Sequence, residues 1–401
     1  MNLCFFLGVP DLTKVAMNSL SAANTHFTFD LFQQFKTSKK DDNIFCSPLS
    51  ISSALAMTYL GAKENTAFEM EMVGVQCSEP TFLYLKVEKL GNVHHQFQKL
   101  LTELKKPTDA NELNIANKLY GEKNYQFLQV SFIWPKFYLT SVESVDFKNA
   151  PEESRKKINS WVESQTHEKI KDLLPKNSLE FTTVLVLVNA IYFKGQWDNK
   201  FDKRNTVEKE FWLNKDTSKP VQMMKQVNVF KFTSLEDIKA KILEIPYKGK
   251  DLSMVLLLPD DVDGLQKVKS YQLTAEKLRE WTSSQNMHDN YVDLYLPRFK
   301  VEETYDLKDT LRALGMVDVF NPQRANLSGM TGTKDLLVSK VIHKSFVEVT
   351  EEGTEAASST AVVVNVGSPP THPFHCDHPF LFFIRHNKTN SILFLGRVSS
   401  P

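Results

Sequence analysis

Only four cysteines occur in 401 residues, Cys4, Cys46, Cys77 and Cys376, and none forms a CxxC pair. That excludes a disulfide-built scaffold and fits reduced thiols in a cytosolic protein. Cys46 and Cys376 sit in apolar strings and read as small core hydrophobes. Net charge is missing too: 48 Lys+Arg balance 48 Asp+Glu, so no bulk field recruits nucleic acid or an anionic membrane. No apolar run approaches the roughly 20 residues that span a bilayer. Gly is scarce at 14, and no Gly/Ser-rich or charged linker breaks the chain. One large globular unit follows, long enough to bury a big core.

Catalytic signatures are also lacking. There is no GxSxG elbow, no HExxH and no glycine-rich phosphate loop, so the chain does not read as an enzyme. His372, His375, Cys376 and His378 lie close together, but two prolines interrupt them and no second ligand set completes a tetrahedral site. Neither a metal nor another cofactor is therefore expected. His94-His95 reads as the solvated face of a charged amphipathic helix. The first 16 residues carry an apolar stretch, Leu3–Val9, with no basic residue before it. They do not read as an export signal. The sequons Asn326-Leu-Ser and Asn387-Lys-Thr matter only on a secretory route.

What is present is a mixture of helical and strand periods. Asn24 or Thr25 is expected to cap a helix carrying Phe27, Leu31, Phe32 and Phe35. A more buried helix follows Ser47-Pro48, with Ile51, Leu55, Ala56 and Tyr59 along it. Val93, Phe97, Leu100, Leu101 and Leu104 mark another, and Ser154 is expected to cap a fourth. Leu113, Ile115 and Leu119 alternate with polar residues as on a half-buried strand. Val184–Phe193 is almost continuously apolar, as a strand covered on both faces would be. Met254–Leu258 reads the same way, and Phe380–Ile384 with Ile392–Leu395 flank a hairpin turn. The class is α+β with a large sheet.

Most informative is Glu351–Pro370, EEGTEAASSTAVVVNVGSPP, which holds no Lys, Arg, Phe, Trp or Tyr. Without large apolar anchors it should be an exposed loop. Yet its β-branched content suits a strand. Alternate residues Thr354, Ala356, Ser358, Thr360, Val362 and Val364 are uncharged and small, while Glu355 falls on the opposite side. Such a segment can join a sheet as an added strand.

The flanks VIHKSFVEVTEEG and FHCDHPFLFFIRHNKTNSILFLGRVSSP resemble the C-terminal signature of the serpins. So do LVLVNAIYFKGQW, NIFCSPLSISSALAM and LEIPYKGKDLSMVLLLP, in the same order. From Met17 to Pro401 the chain is similar to the intracellular clade B, and NAPEESRKKINSWVESQT to its squamous cell carcinoma antigen type. The resemblance implies one serpin domain over 17–401, with 1–16 as an atypical extension. It implies three sheets, roughly nine helices and a reactive-centre loop over about 351–374. Its function is then irreversible inhibition of a protease: the loop is cut, inserts into the main sheet and drags the covalently attached enzyme along. The alternative is a non-inhibitory serpin fold acting as a binding or chaperone-like protein.

Residue by residue, Gly353, Thr354, Glu355, Ala356, Ala357, Ser358 and Ser359 match the family's hinge. Ser47, Ser50, Asn189 and His343 match its shutter, a polar cluster beneath the opening of the main sheet. Asn189 also stands out by itself, as the one amide in an apolar run. Trp197 matches the breach, and Arg298 matches a basic position that pairs with Glu351. Counted from Glu351, the scissile bond falls at Gly367–Ser368, with Val366–Gly367 as its rival. The target is then a papain-like cysteine protease or an elastase- or chymotrypsin-like serine protease. The expected protein is a cytoplasmic monomer, with a nuclear location or leaderless release left open. One departure is Pro135, within a stretch where the family carries a helix.

Overall fold

A computed structural model describes residues 12–73, 91–106, 108–128, 137–138, 140–268, 273–352 and 370–401. Among these residues there are nine α-helices. They are α1 (Leu12–Ser38), α2 (Pro48–Tyr59), α3 (Glu64–Met72), α4 (Gly91–Leu104), α5 (Pro151–Gln165), α6 (Gly264–Lys267), α7 (Ala275–Trp281), α8 (Lys308–Ala313) and α9 (Ser328–Thr331).

Five strands make one sheet: β2 (Asn111–Glu122), β3 (Val142–Val145), β4 (Leu185–Gly195), β10 (Phe299–Asp306) and β11 (Lys340–Val349), in the order β10-β11-β4-β2-β3. Its central pair, β11 and β4, is parallel, whereas β10 and β2 run antiparallel to their inner neighbours. The other nine strands are β1 (Ile44–Cys46), β5 (Val207–Trp212), β6 (Ser218–Leu235), β7 (Ala240–Pro246), β8 (Leu252–Pro259), β9 (His288–Pro297), β12 (His372–His375), β13 (Phe380–His386) and β14 (Ser391–Val398). They form a single hydrogen-bonded sheet. The three sheets implied by the resemblance therefore appear as two, because the 18 residues of β6 run from one ladder, with β5 and β9, into another, with β7.

β4 explains its own apolar run. Leu185, Leu187, Ile191 and Phe193 enter the main core, while Val186, Val188, Ala190 and Tyr192 enter a second core beneath α5. A strand with two buried faces has no polar side to present. The β13–β14 hairpin forms as the apolar runs predict, antiparallel across its turn.

Three local expectations are corrected. Asn24 and Thr25 do not cap α1, which begins at Leu12. Thr25 Oγ1 donates back to the Ser21 carbonyl at 2.8 Å, and Asn24 Nδ2 donates to the Ile392 carbonyl at 2.8 Å. Ser154 is likewise inside α5, whose N-terminus is set by Pro151 with Glu152 and Glu153 in the first turn. Those acids sit where the helix dipole favours negative charge. His94 is buried, unlike exposed His95, and its Nδ1 bonds the Tyr138 hydroxyl. Burial pushes its pKa down to about 4.

Both sequon amides are engaged in the fold. Asn326 is buried with Nδ2 on Glu64 Oε2 at 2.9 Å, and Asn387 Nδ2 donates to the Lys250 carbonyl at 2.8 Å. Pro135 lies outside the described residues.

Candidate functional site

Four register partners place polar or aromatic side chains in a row across the five-stranded sheet. Tyr305 of β10 is opposite His343 of β11, His343 is opposite Asn189 of β4, and Asn189 is opposite Asn117 of β2. All but Tyr305 are joined edge to edge by hydrogen bonds. His343 Nδ1 bonds Asn189 Oδ1, and Asn189 Nδ2 donates to Asn117 Oδ1. Tyr305 stacks on His343 at 6.4 Å between ring centroids.

The N-terminus of α2 closes this row from the core side. Ser47 caps the helix, its side chain accepting from the Ser50 N–H at 3.2 Å, and Pro48 follows with the fixed φ that suits a first helical turn. Ser47 N–H donates to His343 Nε2 at 3.1 Å, and Ser47 Oγ donates to the Leu393 carbonyl at 2.6 Å. Asn189 Nδ2 reaches the Ser50 carbonyl at 3.2 Å, and Asn117 Nδ2 donates to Ser53 Oγ at 2.8 Å.

The donor at Nε2 fixes the imidazole. A ring nitrogen that accepts from an amide cannot carry a proton, so His343 is neutral with its proton on Nδ1. Complete burial acts the same way, pushing its pKa down to about 3. The cluster thus satisfies its buried polar groups without a charge, and loss of one partner strands the others.

A pH dependence follows. Between about pH 3 and 6.5 the unfolded chain binds a proton at His343 that the native chain refuses, so stability falls on acidification through that window. The slope approaches about 1.4 kcal/mol per unit from this residue. Denaturant unfolding at pH 7.5, 6.5 and 5.5 should show the loss, and His343→Gln should flatten it. His94, lowered to about 4, acts in the same sense, so the variant retains part of the slope.

A second group stands where the chain leaves β11. Trp197 Nε1 donates to the Thr350 carbonyl at 2.9 Å, and its ring stacks on Tyr247 at 4.6 Å. Phe201 N–H donates to the Glu351 carbonyl at 3.1 Å. The Glu351 carboxylate is buried between Thr206 Oγ1, at 2.7 Å, and Arg298 Nε, at 3.5 Å. The end of the strand is therefore tied down by backbone and side chain together.

Ser47, Ser50, Asn189 and His343 are thus brought together, as are Trp197, Arg298 and Glu351 some distance away. Hinge residues Gly353, Thr354, Glu355, Ala356, Ala357, Ser358 and Ser359 lie outside the described residues, as do Val366, Gly367 and Ser368. Downstream of them, β12 is an edge strand parallel to β9 among the described residues. On and after it, His372 stacks on Phe232, His375 meets the edge of Tyr295, and His378 Nε2 bonds the Pro259 carbonyl. Cys376 is buried, which raises its thiol pKa.

Asn117, Ser53, Tyr305 and Thr206 complete these groups and were not singled out by the sequence. Asn117 had a signal: Leu113, Ile115 and Leu119 share one face of β2, and 117 is the gap in that series.

With this geometry in view, comparison with known proteins is decisive. The family described as "Serpin (serine protease inhibitor)" matches residues 22–401. Human Serpin B3 is 65% identical over 394 residues, 96% of this chain and 100% of the relative. Leukocyte elastase inhibitor of Equus caballus is 50% identical over 392 residues, with the same coverage. Uncleaved ovalbumin superposes with a TM-score of 0.88 at 39% identity, covering 95% of this chain and 99% of that one. The chain belongs to the serpin family, within its clade B.

Proposed function

We propose that this serpin inhibits proteases as a single-use suicide substrate. The observation that supports it most is the parallel pair β4 and β11 at the centre of the five-stranded sheet, with the chain leaving β11 at Glu351. A segment that turns back there lies antiparallel to both neighbours and completes two hydrogen-bond ladders at once. The small, alternating side chains of Thr354–Val364 suit that position.

In this reading the protease nucleophile, a serine hydroxyl or cysteine thiolate, attacks the scissile carbonyl and releases the amine of the next residue. The acyl or thioacyl bond then holds the enzyme while the freed segment inserts. Insertion parts β4 from β11 and so breaks the bond between Asn189 and His343. Distortion of the attached enzyme stops deacylation, so the serpin is consumed and turns nothing over. The same reading takes 17–401 as the inhibitory domain, 1–16 as an extension, and the protein as a cytoplasmic monomer.

Target class follows from the loop. No Lys or Arg occurs from Glu351 to Ile384, so trypsin-like pockets have no cation to bind. A cut after Gly367 places Val366 in the apolar pocket from which papain-like cysteine proteases take their main specificity. A cut after Val366 suits elastase-like serine proteases. Mixing the protein with a panel of both classes is expected to give an adduct that survives a denaturing gel. The released C-terminal peptide should begin at Ser368 or, by the rival register, at Gly367. Cleavage without any adduct favours the non-inhibitory alternative, and a cut outside Val364–Pro369 refutes both registers.

A further inference from the structure

One large apolar side chain is used by none of these steps. Phe181, between α5 and β4, is 73% exposed, the most open of the large apolar residues described. A single exposed ring is ordinary on a protein surface, so its place is what counts. The turn beneath it is closed twice: Thr183 N–H donates to the Glu180 carbonyl at 3.0 Å, and Glu180 N–H donates to Thr183 Oγ1 at 3.1 Å. Leu179 and Thr183, on either side, are buried, so the ring points outward from a fixed base.

That base sits at the end of the β4–β11 pair opposite Glu351. Val184 N–H donates to Ser339 Oγ at 3.0 Å, and Ser339 N–H donates to the Leu185 carbonyl at 2.8 Å. Along the pair, Lys340 is opposite Val186 and Val347 is opposite Phe193. On the inhibitory reading above, on which this inference rests, a two-residue turn at Glu352 and Gly353 sends the cut loop back with Thr354 beside Glu351. One loop residue for each strand residue then brings Val366 level with Leu185 and Gly367 level with Val184. Phe181 is three residues further, within about 11 Å of chain. A protease held on the carbonyl of Val366 or Gly367 therefore comes to rest over it.

We propose that Phe181 is a docking residue for the trapped protease, its ring lodged against apolar surface that distortion exposes on the attached enzyme. A contact made only in the distorted state favours that state. Release requires water to attack the acyl carbonyl, leaving a carboxylic acid on the serpin chain and returning a proton to the serine oxygen or cysteine sulfur. An enzyme kept distorted does not position that water. First encounter takes place on the uncut loop, before the enzyme has been carried to this end of the sheet, so Phe181 acts on the lifetime of the adduct and not on its formation.

The test compares the full chain with Phe181→Ser and Phe181→Leu, each mixed with papain and with elastase. Rate of adduct formation, adduct yield and the unfolding midpoint of the uncut protein should match the parent in both variants. The adduct of Phe181→Ser should break down about 10-fold faster, read as returning protease activity, while Phe181→Leu stays within about 2-fold of the parent. Amide exchange at Glu180 and Thr183 should be slower in the adduct than in cleaved protein without enzyme. An unchanged adduct lifetime in Phe181→Ser overturns the proposal and leaves the inhibitory reading standing. Slower formation or lower yield in that variant also overturns it, by placing the ring in recognition or insertion. Sedimentation showing an uncut parent dimer that Phe181→Ser abolishes gives the ring to a second copy of the chain, with the same consequence. A parent that forms no adduct with either enzyme removes the inhibitory reading and this inference together.

Discussion

Cutting the native loop once, between Val364 and Ser368, is expected to raise the unfolding midpoint by at least about 10 °C. An ordinary exposed loop behaves oppositely, because a nick adds freedom to the unfolded and native chains without adding a contact. Here the cut releases a segment whose upstream end is already held at the mouth of the sheet by Trp197, Phe201 and Thr206. In the proposed mechanism it then lies between β4 and β11 and gains ladder hydrogen bonds on both sides. Its alternate residues, from Thr354 to Val364, become buried. In a chain of this length each kcal/mol moves the midpoint by roughly 1.2 °C, so a gain of about 8 kcal/mol suffices for the shift. The measurement is a thermal melt of protein cleaved at one site, with the site verified by mass. A midpoint that stays put or falls counts against stored energy, and with it against the inhibitory reading.

The opposite intervention is made in the polar row. Asn189→Ala leaves the His343 Nδ1–H without its partner in a fully buried place, and leaves Asn117 Oδ1 only the Ser50 hydroxyl at 3.5 Å. A stranded group costs about 1–3 kcal/mol, so the uncut protein should lose a few degrees of stability. The cut form, in which the proposed insertion has already parted β4 from β11, should lose less. Comparing the two melts separates a role in holding the sheet shut from a general role in packing.

Much of this architecture was legible because the same residues satisfy local and global demands. The unbroken apolar run of β4 could only belong to a strand with two covered faces, and Asn189 stood out against it. Ser47-Pro48 announced the start of α2, since a hydroxyl cap and a fixed φ agree on one boundary. Elsewhere local chemistry misled. Asn24, Thr25 and Ser154 are good caps, but their side chains found other acceptors, in Ile392, Ser21 and Asp146, and each helix ran on through them. His94 looked solvated beside His95, yet it shares helical spacing with Phe97 and Leu101, and that apolar stripe decided its burial. The contacts of Trp197, Arg298 and Glu351 leave no trace in local pattern, because they join segments fifty or more residues apart. Those three were identified through family resemblance, and Asn117 was visible only as an omission from an apolar series.

Thr354→Arg is expected to turn the inhibitor into a substrate. In the proposed insertion Thr354 is the first inward-facing residue of the loop, so the new guanidinium would have to enter the sheet before any other insertion contact is made. Among the described residues no free counter-charge waits for it: Glu351 is already bonded to Thr206 and Arg298, and Glu352 to Lys203. Deeper in, His343 and Asn189 are neutral and fully engaged. Burying an uncompensated charge costs several kcal/mol, and every 1.4 kcal/mol on the insertion barrier slows it about tenfold. Deacylation needs no movement of the sheet and keeps its rate. The competition between the two therefore passes from trapping to turnover. The variant should be cut at the same bond as the parent, at a similar rate, while the yield of adduct on a denaturing gel falls to near nothing. Thr354→Ser, equally small and uncharged, should trap as well as the parent. Equal adduct yield from the arginine variant and the parent would remove Thr354 from the hinge and require a different point of entry into the sheet.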